Sequence, residues 1–582
     1  MEDKKVLLSI KDLHVKFRVR GRILTAIRGV SLDLYENESI AIVGESGSGK
    51  SVFTKTFAGM LDTNGYISEG SIIFNDEDLA DTDVALDSTA KKQIEKAHAR
   101  LNAMSGLEFG APIYRQILDL EAEKKARETL SDEEDKEITG RIAELNFKRT
   151  ELSNHKQTID PSKEKARIKE ITAQIAEISD EIKKLEQERA DRIEAHRRAC
   201  KNDTEYLSSY RAKKEALEKA YEEAIQKDIT EETSARNLII AKEIYLSVGR
   251  YSFSQRIKLI AKLLAAFKDA MKLGVDLMDD ETRNAVFDNV VFRVKYVGET
   301  EDKIDGVCVI NLAKVKYSKD WSKIRGGKIA TVFQDPMTSL NPIITIGKQI
   351  TSIILKHQNC TELEARTRAM ELMKKVGIPN AENRFDDYPF QYSGGMRQRI
   401  VIAIALSCQP KILICDEPTT ALDVTIQAQI LKLIKDLQKE FNYTIVFITH
   451  DLGVVANVAD RVAVLYAGQV VEVGTVEEVF YDPRHPYTWA LLSSLPQLAQ
   501  RNTKLYSISG TPPSLYNDIV GDSFAPRNPY CLKIDTLKEP PMFRVTDTHY
   551  AKTWLLDPRA PKMEKPEIIQ NIHEKLMDSF NI

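Results

Sequence analysis

The sequence predicts an α/β fold that is built on a mostly parallel sheet and interrupted by a long α-rich insertion. Three observations lead to this prediction. A strand, a glycine-rich loop and a helix follow one another within residues 39–59. Strands alternate with helices again after residue 324, and polar residues follow these strands directly. Between the two parts, residues 84–318 are rich in Glu, Lys, Ala and Ile, with apolar residues at helical spacing.

The composition limits the class of protein. A chain of 582 residues with a net charge of -4 has room for several domains and shows no excess charge that would attract nucleic acid. Its 6 cysteines are scattered without a Cys-x-x-Cys pair, which favours a reducing compartment over a disulfide framework. We expect no signal region and no transmembrane segment, because no apolar run approaches the roughly 18 residues that a membrane span needs.

The glycine-rich loop has the pattern of a phosphate-binding loop, G-x-x-x-x-G-K-[ST]. Its residues are Gly44, Glu45, Ser46, Gly47, Ser48, Gly49, Lys50 and Ser51. Backbone N–H groups and the following helix N-terminus can surround an anion there. Lys50 is expected to reach the β- and γ-phosphates of a nucleotide, and the Ser51 hydroxyl to bind Mg²⁺. A turn that binds nothing is the alternative, and the strand and helix on either side argue against it.

Residues 1–43 contain three apolar–polar runs, at 6–10, 13–17 and 30–34, which predict antiparallel strands. A further strand is predicted at 71–74. Phe17 lies upstream of the phosphate loop and is a candidate for stacking on adenine. A buried strand aromatic is an equally good interpretation of the same residue.

Two apolar stripes in the insertion predict an antiparallel coiled-coil hairpin. The first alternates spacings of three and four, at Ile168, Ile171, Ile175, Ile178, Ile182 and Leu185. The weaker partner stripe is Ile138, Ile142, Leu145, Leu152 and Ile159. The hairpin is expected to turn near 154–162, where Asp160-Pro161 is typical of an N-cap followed by the first helical residue.

The rest of the insertion predicts a small α+β base for this hairpin. A helix is expected at Ile257–Leu273, and two strands at Val290–Val297 and Val307–Leu312, around a turn at Gly298–Gly306. No group of residues in the insertion suggests metal or nucleophile chemistry. Its charge runs are most simply solvated helix faces.

Polar residues follow the strands of the second α/β part. Gln334 follows the strand 328–333, Asp416 and Glu417 end the strand 411–417, and His450 ends the strand that starts at 444. Each signal is weak alone, since Gln334 could be a turn residue and a single His at a strand end is often structural. Together they supply what phosphoryl transfer to water needs.

Each candidate residue has an expected task in that chemistry. Ser51, Gln334 and Asp416 are expected to hold Mg²⁺, Glu417 to polarise the attacking water, and His450 to contact the γ-phosphate region. Ser393, Gly394 and Gly395 open a helix with small residues and form a second anion site. One nucleotide does not need two such sites, so we expect the second to serve a nucleotide bound by a partner.

The order of these motifs, with Leu422-Asp423 after the carboxylates, resembles the ATP-binding-cassette (ABC) ATPases. In that family the nucleotide lies between the phosphate loop of one cassette and the Ser-Gly-Gly signature of another. The resemblance implies ATP and Mg²⁺ as ligands, with Ser393, Gly394, Gly395 and Asp423 as further nucleotide contacts. It also implies the family's sheet core, with an antiparallel β subdomain and a helical subdomain. Met396 stands where many cassettes have Gln.

Further motifs are similar to the ATPase subunits of oligopeptide/dipeptide importers, of the OppD/DppD type. They are Phe333–Pro342, Tyr392–Arg399, His485–Thr488, Gly510–Pro513 and Phe524–Tyr530. The resemblance implies an ATPase at the cytoplasmic face of the cell membrane. Its implied partners are a second, OppF-like cassette in a heterodimer, two integral membrane permease subunits and, indirectly, an extracytoplasmic peptide-binding subunit, with no nucleic acid.

Two departures from that family affect the predicted domains. The helical insertion divides the chain into a nucleotide-binding domain at 1–83 and 319–497, the insertion at 84–318 and a Pro-rich extension at 498–582. The family's tail usually carries four cysteines around an iron–sulfur cluster. The matching positions here are Asp522, Asn528, Asp535 and Thr553, so we expect no such cluster.

A coiled-coil-split ABC ATPase of chromosome maintenance or DNA repair is the alternative interpretation. Those proteins are split after the Gln loop, whereas this chain is split before Gln334. Their coiled coils are far longer, and their heads lack the motif His485–Thr488 and the Pro-rich tail. The importer is therefore favoured, and the insertion is expected to dock a partner or to regulate the transporter.

Overall fold

The computed structural model describes residues 4–75, 81–159, 164–249, 251, 253–287, 292–315, 321–322, 324–420, 422–494, 508–516, 519–566 and 569–570. The strands are β1 (Val6–Val19), β2 (Arg22–Tyr35), β3 (Ser39–Val43), β4 (Gly65–Phe74), β5 (Asp81–Ala85), β6 (Phe292–Glu299), β7 (Lys303–Asn311), β8 (Ile329–Val332), β9 (Ile412–Asp416), β10 (Thr444–Ile448), β11 (Arg461–Tyr466), β12 (Gln469–Thr475), β13 (Phe543–Arg544) and β14 (Tyr550–Ala551).

The α-helices are α1 (Lys50–Phe57), α2 (Ser88–Arg127), α3 (Asp132–Thr158), α4 (Lys165–Asn202), α5 (Thr204–Ala224), α6 (Glu231–Val248), α7 (Phe253–Leu273), α8 (Asp280–Val286), α9 (Pro336–Ser339), α10 (Ile346–His357), α11 (Glu362–Lys375), α12 (Ala381–Arg384), α13 (Gly394–Leu406), α14 (Val424–Phe441), α15 (Leu452–Val458), α16 (Val476–Tyr481) and α17 (Pro486–Ser493). Within the described ranges, no helix combines the length and apolar character that a membrane crossing needs. The chain divides into a first unit, Met1–Ile72 with Val315–Ile582, and a second unit, Ile73–Lys314.

The first unit is built on an eight-stranded sheet in the order β13-β14-β12-β11-β3-β10-β9-β8. The five strands from β11 to β8 run parallel to one another, as the sequence predicts. Every residue of β3, β10 and β11 is buried, which suits strands covered on both faces. The carboxyl ends of β3, β10, β9 and β8 therefore meet at one edge of the sheet.

The N-terminal strands differ from the prediction. The runs 6–10 and 13–17 are not two strands but the single strand β1, which pairs antiparallel with β2. The pairing register shifts between Ile10 and Leu13, and Asp12 between them has a φ of +46°. A β-bulge interrupts the alternation of inward and outward residues, so the sequence of this one strand has the pattern of two strands.

The predicted helical region 343–376 consists of α10 and α11. The break falls at Thr361, which starts α11 with a capping box: its side chain accepts from the Glu364 N–H, and the Glu364 carboxylate accepts from the Thr361 N–H. Ile350 and Ala369 are fully buried in the core that these helices share with the sheet.

The described residues of the Pro-rich extension pack with the sheet of the first unit. They belong to this unit, and Tyr550 and Ala551 of β14 pair with Val473 and Glu472 of β12. Phe524 is fully buried in the same core as the sheet. The tail supplies two strands and a core aromatic residue to the first unit. Its proline content does not indicate either contribution. The predicted boundary at 497/498 lies outside the described residues.

The second unit contains a three-stranded antiparallel arrangement in which β5 and β6 flank β7. Ile73 and Phe74 at the end of β4 pair with Asn311 and Ile310 of β7. The predicted turn at Gly298–Gly306 is shorter than expected, since the strands reach Glu299 and resume at Lys303. The predicted start at Val290 lies outside the described residues.

The helices α3 and α4 pack on each other along the predicted stripes. Ile138 and Leu185 are buried together with Leu130, and Arg189 Nε donates to Asp135 Oδ1 over 2.7 Å. A capping box begins α3. The predicted cap Asp160-Pro161 lies outside the described residues.

The second unit also contains more helix than a hairpin with a small base. The 40-residue helix α2 packs against α5, α6 and α7. Its buried positions Ala90, Ile94, Ala97 and Leu101 are spaced by four and three, but small Ala side chains weaken the apolar signal in the sequence. Near the strands, buried Glu243 pairs with Arg283 at 3.3 Å and Arg293 at 3.5 Å.

Candidate active site

The phosphate loop joins β3 to α1 at the carboxyl edge of the sheet. Gly44 has a φ of +153°, and a Cβ built on it would lie 2.1 Å from the Leu465 carbonyl oxygen. Only glycine fits this position, because any side chain would collide with backbone. The buried Lys50 ammonium donates to the carbonyl oxygens of Gly44 (2.8 Å) and Glu45 (3.0 Å). Burial lowers the pKa of Lys50, and the carboxylates of Glu417 and Asp416 oppose this shift.

The loop fits a phosphate group on the evidence of its own side chains. The Ser48 hydroxyl is buried without a hydrogen-bond partner among the described residues, although a buried hydroxyl ordinarily has one. A positive charge at Lys50 and the N-terminus of α1 lie in the same loop. An anion with several acceptor oxygens would satisfy this combination.

A carboxylate and a hydroxyl meet beside the loop. Asp416 ends β9, and the Ser51 hydroxyl donates to Asp416 Oδ1 over 3.3 Å. Burial raises the pKa of Asp416, and the hydrogen bond from Ser51 acts against this shift. Oxygen ligands of this kind suit Mg²⁺, and a cation would offset the cost of burying the carboxylate. The donor set therefore fits a magnesium site.

Glu417 adopts a backbone conformation that few side chains tolerate. Its φ is +45°, in the left-handed region that residues other than Gly, Asn and Asp seldom occupy. The Glu417 N–H donates to the Ile448 carbonyl oxygen of β10 over 2.9 Å, which ties the turn to the neighbouring strand. Strain of this kind persists where the surrounding structure imposes it, and it is frequent at functional sites.

Three side chains surround the Glu417 carboxylate. Oε2 accepts from Gln334 Nε2 and from the Thr420 hydroxyl, each over 3.0 Å. His450 Nδ1 lies 3.1 Å from Oε1. Burial acts to raise the pKa of Glu417, but the hydrogen bonds of His450 and Thr420 and the charge of Lys50 outweigh it, so the pKa lies below its ordinary value of 4.5. The group is an ionised base at neutral pH, and its side chain is 19% exposed.

The structure thus brings together residues from four neighbouring strand ends: Ser51 after β3, Gln334 after β8, Asp416 and Glu417 at β9, and His450 after β10. Thr420 is the member that the sequence reasoning missed. It lies three residues after Glu417, and nothing in a Thr-Thr pair indicates that one hydroxyl turns back onto the carboxylate.

The signature segment forms a second cluster in the same unit. Ser393 caps α13, its hydroxyl accepting from the Met396 N–H at 3.4 Å, and Asp423 caps α14 in the same manner. A Cβ on Gly395 would lie 2.8 Å from Ile426 Cγ2, whereas one on Gly394 would meet only Leu422 Cδ2, at 4.0 Å. Among the described residues no hydrogen bond joins this cluster to the phosphate loop.

Phe17 lies in β1 with 8% of its surface exposed. A Cβ on Gly65 would approach its ring to 2.6 Å, so the ring lies directly over that glycine. This packing agrees with a buried strand aromatic, and the adenine contact stays a prediction.

Two families of known proteins match the chain. Residues 27–266 and 297–420 match the ABC transporter family. Residues 471–534 match the family described as oligopeptide/dipeptide transporter, C-terminal region. The first match runs through part of residues 84–318, so it does not mark the limits of the predicted insertion.

Curated relatives agree with both matches. The oligopeptide transport ATP-binding protein AmiE of Streptococcus pneumoniae is 65% identical over 270 residues, which cover 46% of this chain and 76% of AmiE. The oligopeptide transport ATP-binding protein OppD of Bacillus subtilis is 59% identical over 45% of this chain and 74% of its own length. The dipeptide transport ATP-binding protein DppD of Lactococcus lactis is 60% identical over 44% of this chain and 72% of its own length.

Proposed function

Because the chain belongs to the ABC transporter family, we propose that it is the ATP-hydrolysing subunit that powers an importer of oligopeptides or dipeptides. The observation that carries the proposal is the Glu417 carboxylate beside the phosphate loop, which His450 and Thr420 keep ionised and to which Gln334 also donates a hydrogen bond. A water molecule at its exposed side has a base next to it and the γ-phosphate of a bound nucleotide in front of it.

The proposed chemistry divides among the residues of this edge. Lys50 and the loop N–H groups bind the β- and γ-phosphates and offset the charge that develops on their oxygens. Glu417 accepts a proton from the attacking water, whose oxygen forms the new bond to phosphorus while the bond to ADP breaks. His450 and Gln334 fix the orientation of the carboxylate, and His450 also contacts the γ-phosphate region. The products are ADP and phosphate.

Ser51, Asp416 and Gln334 are the residues that we propose to hold Mg²⁺. The ion supplies charge neutralisation for the phosphate oxygens when it is bound. Ser51 and Asp416 already lie within hydrogen-bond distance of each other. Gln334 bonds Glu417 rather than Asp416, so its amide oxygen is left for a cation or water while its Nε2 orients the base.

We propose that the Ser393–Gly395 segment and Asp423 complete a nucleotide site on a partner cassette. The open surface over Gly394 supports this assignment, because backbone N–H groups at a helix start are accessible where no side chain covers them. The partner is a different, OppF-like cassette. Two integral membrane permease subunits bind the pair at the cytoplasmic face of the membrane, and a peptide-binding subunit acts on the far side.

The tail carries no iron–sulfur cluster, since Cys531 is its only cysteine and such clusters need several thiolates; stoichiometric iron and acid-labile sulfide in anaerobically purified protein would contradict this. The segment 84–318 supplies none of the proposed catalytic residues, and we assign it to contact with another subunit of the transporter.

Chromosome maintenance is the disfavoured function, because residues 471–534 match a peptide-transporter family and the curated relatives are peptide-transport proteins.

Isolation of the tagged full chain from detergent-solubilised membranes tests the proposed function. We expect two integral membrane subunits and a second cassette to co-purify, and ATP hydrolysis by the reconstituted complex to rise when peptide and its binding subunit are added. Recovery without membrane subunits, together with hydrolysis that DNA stimulates, would instead support the chromosome-maintenance function.

A further inference from the structure

The phosphate loop carries a carboxylate at a position where its motif allows any residue. Glu45 is the first variable residue of G-x-x-x-x-G-K-[ST], and its own carbonyl oxygen accepts from Lys50. A carboxylate so close to a triphosphate site repels the ligand unless a cation neutralises it. The neutralising group comes from the far end of the chain.

Arg527 forms a bidentate ion pair with the Glu45 carboxylate. One guanidinium nitrogen donates to Glu45 Oε2 over 2.8 Å and the other to Oε1 over 3.0 Å. The Arg527 side chain is only 4% exposed. Burial acts to lower the pKa of Arg527, but the bonds to Glu45 and Tyr466 outweigh it and raise the pKa above its ordinary value. Paired, planar bonds of this type are strong and fix the direction of both groups.

The tail and β11 hold the guanidinium in place. Arg527 Nε donates to the Ser509 carbonyl oxygen (3.0 Å), and a terminal nitrogen donates to the Tyr466 hydroxyl (3.2 Å). Fully buried Phe524, three residues earlier, packs edge-on against the rings of Tyr466 and Tyr487, with centroids 5.2 and 5.3 Å away.

A second contact reaches the backbone of the same loop residue. The Glu45 N–H donates to the Tyr487 hydroxyl over 2.8 Å. Tyr487 is fully buried at the start of α17. All three polar groups of Glu45 are therefore engaged: its N–H by Tyr487, its carbonyl by Lys50 and its carboxylate by Arg527.

We infer that Arg527 and Tyr487 are positioning residues of the nucleotide site. Both fix the phosphate loop through Glu45, and Arg527, which the C-terminal tail supplies, also cancels the charge of Glu45. The inference rests on the proposed nucleotide binding and goes beyond it by making the tail part of the ATP site. Loss of Arg527 alone leaves a partly buried, uncompensated carboxylate beside the phosphates. Removal of both charges leaves no repulsion.

Binding of a fluorescent ATP analogue with Mg²⁺ to the full chain tests this. Arg527→Met should raise the Kd at least about tenfold, as truncation of one partner of a buried charge pair does. The double variant Glu45→Gln/Arg527→Met should recover most of that loss. In the assembled transporter, Arg527→Met should raise KM for ATP more than it lowers kcat. Arg559→Met, an exposed tail arginine, is the matched control and should bind like wild type.

Two outcomes overturn the inference: an unchanged Kd for Arg527→Met, or a double variant as weak as Arg527→Met. If Arg527→Met does not fold, Tyr487→Phe tests the inference instead, because it keeps the buried ring and removes only the hydroxyl that accepts from the Glu45 N–H. We expect a Kd raised severalfold, and wild-type binding by this variant contradicts the role. A wild-type chain that binds no nucleotide would refute the proposed function itself, which is a different result from variants that bind equally well.

Discussion

Glu417→Gln is the substitution that most directly tests the proposed catalytic base. The amide has the shape of the carboxylate but carries no charge and accepts no proton at neutral pH. Its oxygen can accept from Gln334 and Thr420 as Oε2 does now. Its NH₂ group then faces His450 Nδ1, which can accept in the neutral tautomer that is protonated on the other nitrogen. No buried donor or acceptor is left without a partner, so we expect the fold to keep its stability.

The magnitude follows from what is lost. A positioned general base contributes about 10²- to 10⁴-fold to a rate, which corresponds to about 3 to 5 kcal/mol of activation free energy. ATP binding should remain within about twofold, because Lys50, the loop N–H groups and the Ser51–Asp416 pair are untouched. Since the pKa of Glu417 lies below 4.5, its ionisation should not limit the wild-type rate between pH 6 and 8.

The assay is phosphate release by the assembled transporter, with binding of a fluorescent ATP analogue measured in parallel. Glu371→Gln, an exposed substitution on α11, is the matched control and should leave the rate unchanged. A Glu417→Gln transporter that retains more than about a tenth of the wild-type rate would refute the role of general base, since the lower limit for such a group is about 100-fold. Equal loss of binding and turnover would show instead that Glu417 supports the nucleotide.

Two further substitutions and one deletion test other parts of the proposal. Gly394→Asp fits the fold, since a Cβ there meets only Leu422 at 4.0 Å; it should lower phosphate release by the transporter more than tenfold by repelling a partner's nucleotide, while nucleotide binding by the isolated chain stays unchanged. Replacement of 84–318 by a short Gly/Ser linker should preserve nucleotide binding and impair assembly or coupled transport, measured by co-purification and peptide uptake, and an unfolded ATPase would contradict the division. Burial raises the pKa of Asp522 to about 7 from 3.8, with Asp535, Lys552 and Glu539 as the charged neighbours. The stability that this raised pKa contributes is present below 3.8 and lost as pH rises through 7. The unfolding free energy of Asp522→Asn should therefore rise relative to that of wild type by about 3 kcal/mol between pH 5 and 8.5, measured by denaturant unfolding at both pH values. A pH-independent difference would contradict the assignment.

The family, the fold class and the ATPase function could be predicted because each rests on local patterns and on their order. The resemblance to peptide-importer ATPases is confirmed by the family matches and the relatives. The meeting of Gln334, Glu417 and His450 was also predictable, although they are widely separated in sequence. Neighbouring parallel strands bring their carboxyl ends to one edge, so a polar residue after each strand is enough to expect a cluster.

Other features depend on three-dimensional relations that no short pattern encodes. The bulge at Asp12 shifts the alternation within one strand, so the sequence resembles two strands. The helix α2 buries small residues whose hydrophobic signal is low. Phe17 lies near Gly65, a contact that the sequence does not indicate, and its stacking on adenine stays a prediction. The positions of Ser393 and Asp423 relative to a nucleotide depend on a second chain, and their role stays a prediction.

The relation between Glu45 and Arg527 lies at the limit of what sequence reasoning can reach. The two residues are 482 positions apart, and Glu45 occupies a site that the loop motif leaves undefined. The motifs His485–Thr488 and Phe524–Tyr530 were informative only through resemblance, with no physical task attached to them. In the fold, each of them supplies one residue that bonds to Glu45. A charged residue in a free position of a phosphate loop needs a compensating charge somewhere in the chain, and this requirement gives the tail a physical reason to lie against the ATPase core.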